Sequence, residues 1–150
     1  MSQTRTKLLT HIVFSTKNRS PYLGVDIQPQ VFGYMAAVLN ESFGTTVIIG
    51  GMPDHIHILI DVHATTCVSE LVRDVKARTT AWVRKEFDGL REFAWQSGYG
   101  AFSVSESTRD TVAVYIKNQA EHHRERGYKA ELIAFYDKHG LDYDERYLWD

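Results

Sequence analysis

Residues 53–62 read Pro53-Asp54-His55-Ile56-His57-Ile58-Leu59-Ile60-Asp61-Val62, and their alternation decides the fold. Successive side chains of a strand point to opposite faces. His55, His57, Leu59 and Asp61 therefore share one face, and Ile56, Ile58, Ile60 and Val62 share the other. The unbroken branched-aliphatic row calls for a core of helices behind it. The two imidazoles stand on the face turned away from that core, about 6.5–7 Å apart along the strand. One metal ion can be reached by both, because neutral imidazole is a common ligand; a pair of ordinary surface histidines has the same pattern.

Working outward, Leu8 to Ser15 is a first strand, rich in apolar and β-branched residues, and Asn18 to Pro29 is a loop. Val31, Met35, Val38 and Leu39 fall at helical spacing and predict a helix ending near Gly44. Thr45 to Ile49 is a second strand, joined by a turn at residues 50–54 to the strand at 55–62. A long helix follows from Val68 to Phe87, then a glycine-bearing loop and a fourth strand at 101–104. Ser107 with Asp110 three residues on resembles a capping box, opening a helix that runs to about Arg126 and stops at Gly127. A last helix spans about Ala130 to His139, with Gly140 as its cap. The order β-α-β-β-α-β predicts an α+β, ferredoxin-like antiparallel sheet with helices packed on one face and an appended C-terminal helical segment. Residues 1–150 read as a single domain, without repeat or linker.

The bulk numbers are those of a globular chain: 150 residues, 43% hydrophobic, 24% charged, formal net charge −2. Cys67 is the only cysteine, so no intramolecular disulfide and no cysteine-based zinc site is possible. Leu8-Leu9 runs at once into Thr10-His11, and no apolar stretch approaches membrane length, so a cytoplasmic protein is expected, without membrane contact. The charge does not advertise a nucleic-acid binder, but its distribution is uneven. Residues 1–20 carry Arg5, Lys7, Lys17 and Arg19 and no acid, whereas Glu121 to Asp150 holds eight acids against five Lys/Arg. A local basic surface could track a phosphate backbone while the acidic end faces elsewhere.

Two further constellations carry chemistry. Tyr115 and Gln119 lie four apart on the helix opened at Ser107, so one rigid element can present a nucleophile and a ligand together. His122 and His123, one turn beyond, are alternative ligands. Trp95-Gln96-Ser97-Gly98-Tyr99-Gly100 sets aromatics among glycines, either a platform for unpaired bases or a tight loop whose aromatics, Trp95 and Phe102 above all, plug the core. Arg73, Lys76, Arg78, Arg84 and Lys85 on the long helix are phosphate contacts or a solvated face. Lys7, Lys17, Arg19, Arg73, Lys76 and Tyr99 are the candidate DNA-binding residues. Asp61, on the histidine face, is a candidate to orient the metal site from behind its ligands.

These segments together resemble a known family. Pro53 to Ile60, Trp95 to Ser105, and Tyr115-Ile116-Lys117-Asn118-Gln119-Ala120-Glu121-His122-His123 are similar to the single-tyrosine HUH transposases of the IS-two-hundred-like insertion-sequence family. His11 to Arg19 and Tyr143 to Trp149 share the likeness, which covers nearly the whole chain in the same order. Two departures are Thr79-Thr80, where a serine-containing stretch is usual, and the weak basicity. The resemblance implies that His55 and His57 are metal ligands, Gln119 the third, and Tyr115 the nucleophile. It implies a divalent metal, magnesium or, on ligand preference, equally manganese. It also implies single-stranded DNA hairpins as substrate and a homodimer whose tyrosine helices can complete sites in the partner. Competing readings are a non-catalytic ferredoxin-like nucleic-acid-binding module, a water-activating metal hydrolase, and a domesticated host nuclease of repeated palindromes.

Overall fold

The structure, a computed structural model, describes residues 2–121 and 127–146. Four strands, β1 (Leu9–Ser15), β2 (Gly44–Met52), β3 (His55–Val62) and β4 (Gly100–Ser103), form one antiparallel sheet in the order β2-β3-β1-β4. The helices are α1 (Gln28–Ser42), α2 (Val68–Glu86), α3 (Arg109–Lys117) and α4 (Tyr128–Lys138). The chain has the expected α+β, ferredoxin-like architecture, with both sequence-adjacent α crossovers on one face.

That face holds the main core. Ile12 and Phe14 of β1 and Ile56, Ile58, Ile60 and Val62 of β3 pack on Val31, Met35, Val38 and Leu39 of α1 and on Leu71, Val75 and Val83 of α2. Each fully buried Ile or Leu contributes about 1.5–3 kcal/mol of transfer free energy, so the aliphatic row of β3 alone anchors the sheet to both helices. Pro29 lies in the first turn of α1, where its missing N–H costs nothing. Glu70 in the first turn of α2 and Arg84 and Lys85 in its last complement the helix dipole.

Several boundaries differ from expectation. The strand β2 continues through Gly50 and Gly51, which pair with His57 and Ile56, leaving only Pro53 and Asp54 to turn the chain. Ser107 is not the cap: the α3 N-cap is Thr108 and carries no side-chain cap bond, because the Ser107 and Thr108 hydroxyls both bond the Ser105 hydroxyl around a short 3-10 turn at Glu106–Thr108. The helix α3 ends at Lys117, with Asn118 at φ −100° and ψ 34°, before helical backbone resumes at residues 119–121. The expected continuation to Arg126 lies outside the described residues. Gly127, expected as the stop of the preceding helix, is the N-cap of α4. Gly140 closes α4 as expected, at φ +65°, the left-handed conformation that glycine adopts without strain.

Candidate active site

The larger correction concerns the histidine face of β3, which is not exposed. Leu9, Val13, Leu59 and Phe102 give this side of the sheet an apolar floor, and Ile116 of α3 and Tyr128 and Leu132 of α4 settle on it. The appended C-terminal helices thus form a second layer. His55 and His57 are 1% and 0% exposed, so their ring nitrogens must find partners inside the protein.

Those partners converge on one point. The Glu131 Oε1 atom lies 2.9 Å from His57 Nε2 and 3.7 Å from His55 Nε2. The Gln119 Oε1 atom lies 3.2 Å from His55 Nε2. Gln119 and Glu131 are themselves buried, at 1% and 2% exposure. A divalent ion with bonds of about 2.0–2.4 Å holds its ligand atoms about 3–4 Å apart, which is the spread found here. Among the described residues, His55, His57 and Glu131 are a His/acid group close enough to share an ion. Two imidazoles, an amide oxygen and a carboxylate fit a magnesium- or manganese-class cation.

Tyr115 joins the same cluster. Its hydroxyl donates a short hydrogen bond to Glu131 Oε2, and its ring stands edge-on to His57 with centroids 5.8 Å apart. One carboxylate therefore touches both the imidazole pair and the phenol. Gln119 Nε2 donates to the Tyr115 carbonyl at 3.3 Å, tying the two residues of the i,i+4 pair together. A cavity of about 280 Å³ opens beside them, lined by His11, Val112, Tyr115, Glu131, Phe135 and Lys138.

The height of α3 over the sheet is set by a glycine. A Cβ built on Gly50 would fall 2.5 Å from the Ile116 carbonyl oxygen and 3.0 Å from Ile116 Cγ2. Gly50 is also the β2 residue paired with His57. The residue after the tyrosine thus rests directly on the backbone beside the second histidine.

Both histidines are held from behind. Asp54 Oδ1 lies 2.7 Å from His55 Nδ1, which directs His55 Nε2 at the cluster. Burial pushes the Asp54 carboxyl up, but the hydrogen bond and charge of His55, with its own backbone and Arg19, outweigh it and hold the group below the usual range. His57 Nδ1 lies 2.8 Å from His11 Nε2. Asp61, the acid expected to play such a part, is not brought there. Its carboxylate accepts from the Leu8 amide at 2.9 Å and pairs with Lys7 at 3.3 Å, at the other end of β3.

Comparison with known proteins meets this geometry. The family described as "Transposase IS200 like" matches residues 4–119. The chain belongs to the IS200-like transposase family. It is 22% identical over 114 residues to the ISDra2 transposase TnpA of Deinococcus radiodurans, covering 73% of this chain and 81% of that protein. A crystal structure of a transposase from Deinococcus radiodurans R1 superposes with a TM-score of 0.64 at 24% identity, over 79% of this chain and 98% of that one. A REP-associated tyrosine transposase bound to a REP hairpin superposes with a TM-score of 0.56 at 19% identity, over 77% and 70% of the two chains. At these identities the superpositions show a shared fold.

Of the candidate DNA contacts of this IS200-like transposase, Arg73, Lys76 and Tyr99 are brought together, with Trp95, around a groove of about 480 Å³ between α2 and residues 94–99. Lys76 turns inward within it. Its Nζ donates to the Gln96 and Gly98 carbonyls, both at 2.8 Å, and sits 4.9 Å from the Phe14 ring centre, and burial lowers its pKa to about 8. Lys17 and Arg19 are exposed on a tight turn, Lys7 near Asp61, and none of the three lines the groove. Trp95 packs edge-on to Phe14 and Phe93, the core-plugging alternative. His122 and His123 lie outside the described residues. No helix among the described residues is long and apolar enough to cross a membrane.

Three partners of the cluster, Glu131, His11 and Asp54, were not singled out by sequence reasoning. Only Asp54 had a local signal, its place beside His55 in the turn.

Proposed function

We propose that this transposase cuts and rejoins single-stranded DNA with Tyr115 as nucleophile, and that His55, His57 and Gln119 hold a divalent cation, Mg²⁺ or Mn²⁺. The observation that carries the reading is the convergence of the Tyr115 hydroxyl and both buried imidazoles on one point beside an open cavity. A bound cation would withdraw charge from the non-bridging oxygens of a phosphodiester and orient it. The residues do the rest. Tyr115 is held at its hydroxyl by Glu131 and at its carbonyl by Gln119, which aims the phenol at the cavity. Its oxygen attacks phosphorus, the bond to the 3′-oxygen breaks, and the departing 3′-hydroxyl takes up a proton in place of the one the phenol gave. The 5′-phosphotyrosine bond conserves the phosphodiester's free energy, so a second 3′-hydroxyl reverses the step without ATP.

The REP hairpin bound to a structural neighbour supports folded single-stranded ends as substrate. Lys138 at the cavity rim and Arg73 and Tyr99 in the α2 groove are the basic and aromatic contacts this reading assigns to DNA. A homodimer belongs to the same reading, and residues 1–150 act as one domain. Mixing Tyr115→Phe with His57→Ala subunits tests sharing: regained activity means sites completed by the partner.

The deciding experiment incubates the purified protein with labelled single-stranded oligonucleotides from its gene's flanks and Mn²⁺, followed by a denaturing gel. The expected result is a protein–DNA adduct that disappears with EDTA and in Tyr115→Phe. Cleavage without an adduct would replace the reading with a hydrolase; adduct formation by Tyr115→Phe would remove Tyr115 from its role.

A further inference from the structure

We infer that Glu131 is itself a ligand of the cation, which makes the site a two-histidine, one-carboxylate centre with the carboxylate supplied by α4. The inference rests on the reading of His55 and His57 as metal ligands and extends it to a residue outside their motif. Glu131 is a carboxylate at 2% exposure, and burying such a charge is costly unless donors or a cation compensate it. Its Oε1 lies against both imidazole Nε2 atoms, nearer to His57 than Gln119 Oε1 is to His55.

Its second oxygen gives the arrangement a further consequence. Oε2 accepts the Tyr115 hydroxyl, so one side chain spans the cation position and the nucleophile. The docking of α4 places it there. Tyr128, one turn before Glu131, stacks on His55 with ring centres 4.5 Å apart, and Leu132 is buried against Val13 and Phe102. A carboxylate also adds the hard, anionic oxygen that magnesium-class ions prefer to imidazole and amide ligands alone.

The test is Mn²⁺ binding by the full chain without DNA, read by electron paramagnetic resonance of free Mn²⁺. Glu131→Gln, which keeps the shape of the side chain, and Glu131→Ala are compared with wild type and with His57→Ala, their folds checked by circular dichroism. We expect affinity to fall about tenfold or more in both Glu131 variants, at least the loss seen when residues that merely orient ligands are removed. Unchanged affinity in Glu131→Gln and Glu131→Ala, with binding abolished in His57→Ala, overturns the role of Glu131 and leaves the histidine reading standing. No binding by wild type overturns both. Should the variants fail to fold, an anomalous-scattering map of Mn²⁺-soaked wild-type crystals decides. Density within about 2.2–2.4 Å of a Glu131 oxygen supports the inference, and an ion with Glu131 turned away ends it.

Discussion

His11 Nε2 lies 2.8 Å from His57 Nδ1, joining the middle of β1 to the second histidine of the β3 pair. Burial, then the neighbouring His57, lowers the His11 pKa to about 3, so His11 is neutral wherever the protein is folded at ordinary pH. A neutral imidazole donates or accepts at Nε2, and the pair therefore admits both tautomers. With its proton on Nε2, His57 donates to Glu131. With the proton on Nδ1, it donates to His11 and frees Nε2 for a cation. We predict that His11→Ala weakens Mn²⁺ binding by about 10–100-fold, the usual cost of removing a residue that orients a ligand. An affinity equal to wild type would show that His57 needs no such partner.

Gly50 supports a second prediction. An alanine methyl there would meet the Ile116 carbonyl at 2.5 Å, a backbone atom that cannot rotate aside. The helix α3 must lift, taking Tyr115 from Glu131. Gly50→Ala should cost about 1–3 kcal/mol in a urea unfolding series. Its adduct yield should fall while hairpin binding, read by gel shift, is kept. Full adduct yield would show that the position of Tyr115 tolerates a lifted helix.

How far the site was legible in the sequence follows from the range of its contacts. The two faces of β3 were readable because strand alternation is a local rule, and Tyr115 with Gln119 because their four-residue spacing brings them together even across the break at Asn118, which interrupts the single helix expected. Glu131 was not: it meets His57 across 74 positions, and one acid on a short helix has the pattern of a solvated side chain. Alternation put Asp61 on the correct face but could not say that Leu8 and Lys7 would claim its carboxylate. The cover of the histidine face comes from α3 and α4, whose apolar residues are plain in the sequence but carry no local sign of which sheet face they pack against. Asn118 broke the expected long helix at a residue that competes well for backbone partners outside helices.

Lys76 gives a pH test. Its pKa in the folded chain is about 8, against 10.5 for the ordinary side chain, and burial is the cause. Below pH 8 both folded and unfolded chains hold the proton, and the desolvation cost is present in full. Between about pH 8 and 10.5 the unfolded chain holds more of it, so stability contributed at this residue rises with pH. Comparing wild type with Lys76→Met cancels most other titrations. The urea midpoint of wild type should gain on that of the variant as pH is raised from about 7 to about 10. A difference independent of pH would place the ammonium in a well-solvated position.

The order in which the chain supplies its parts has a bearing on how such an enzyme is made. The sheet is complete at Ser103, with both β3 histidines and His11 already in it, but Tyr115 follows twelve residues later and Glu131 later still. A nascent chain whose sheet has folded on the ribosome thus carries imidazoles without the phenol or the carboxylate. With the proposed roles of Tyr115 and Glu131, strand scission waits for synthesis to pass α4, and a copy of the gene interrupted between Ser103 and that helix encodes all four strands of the sheet without the carboxylate.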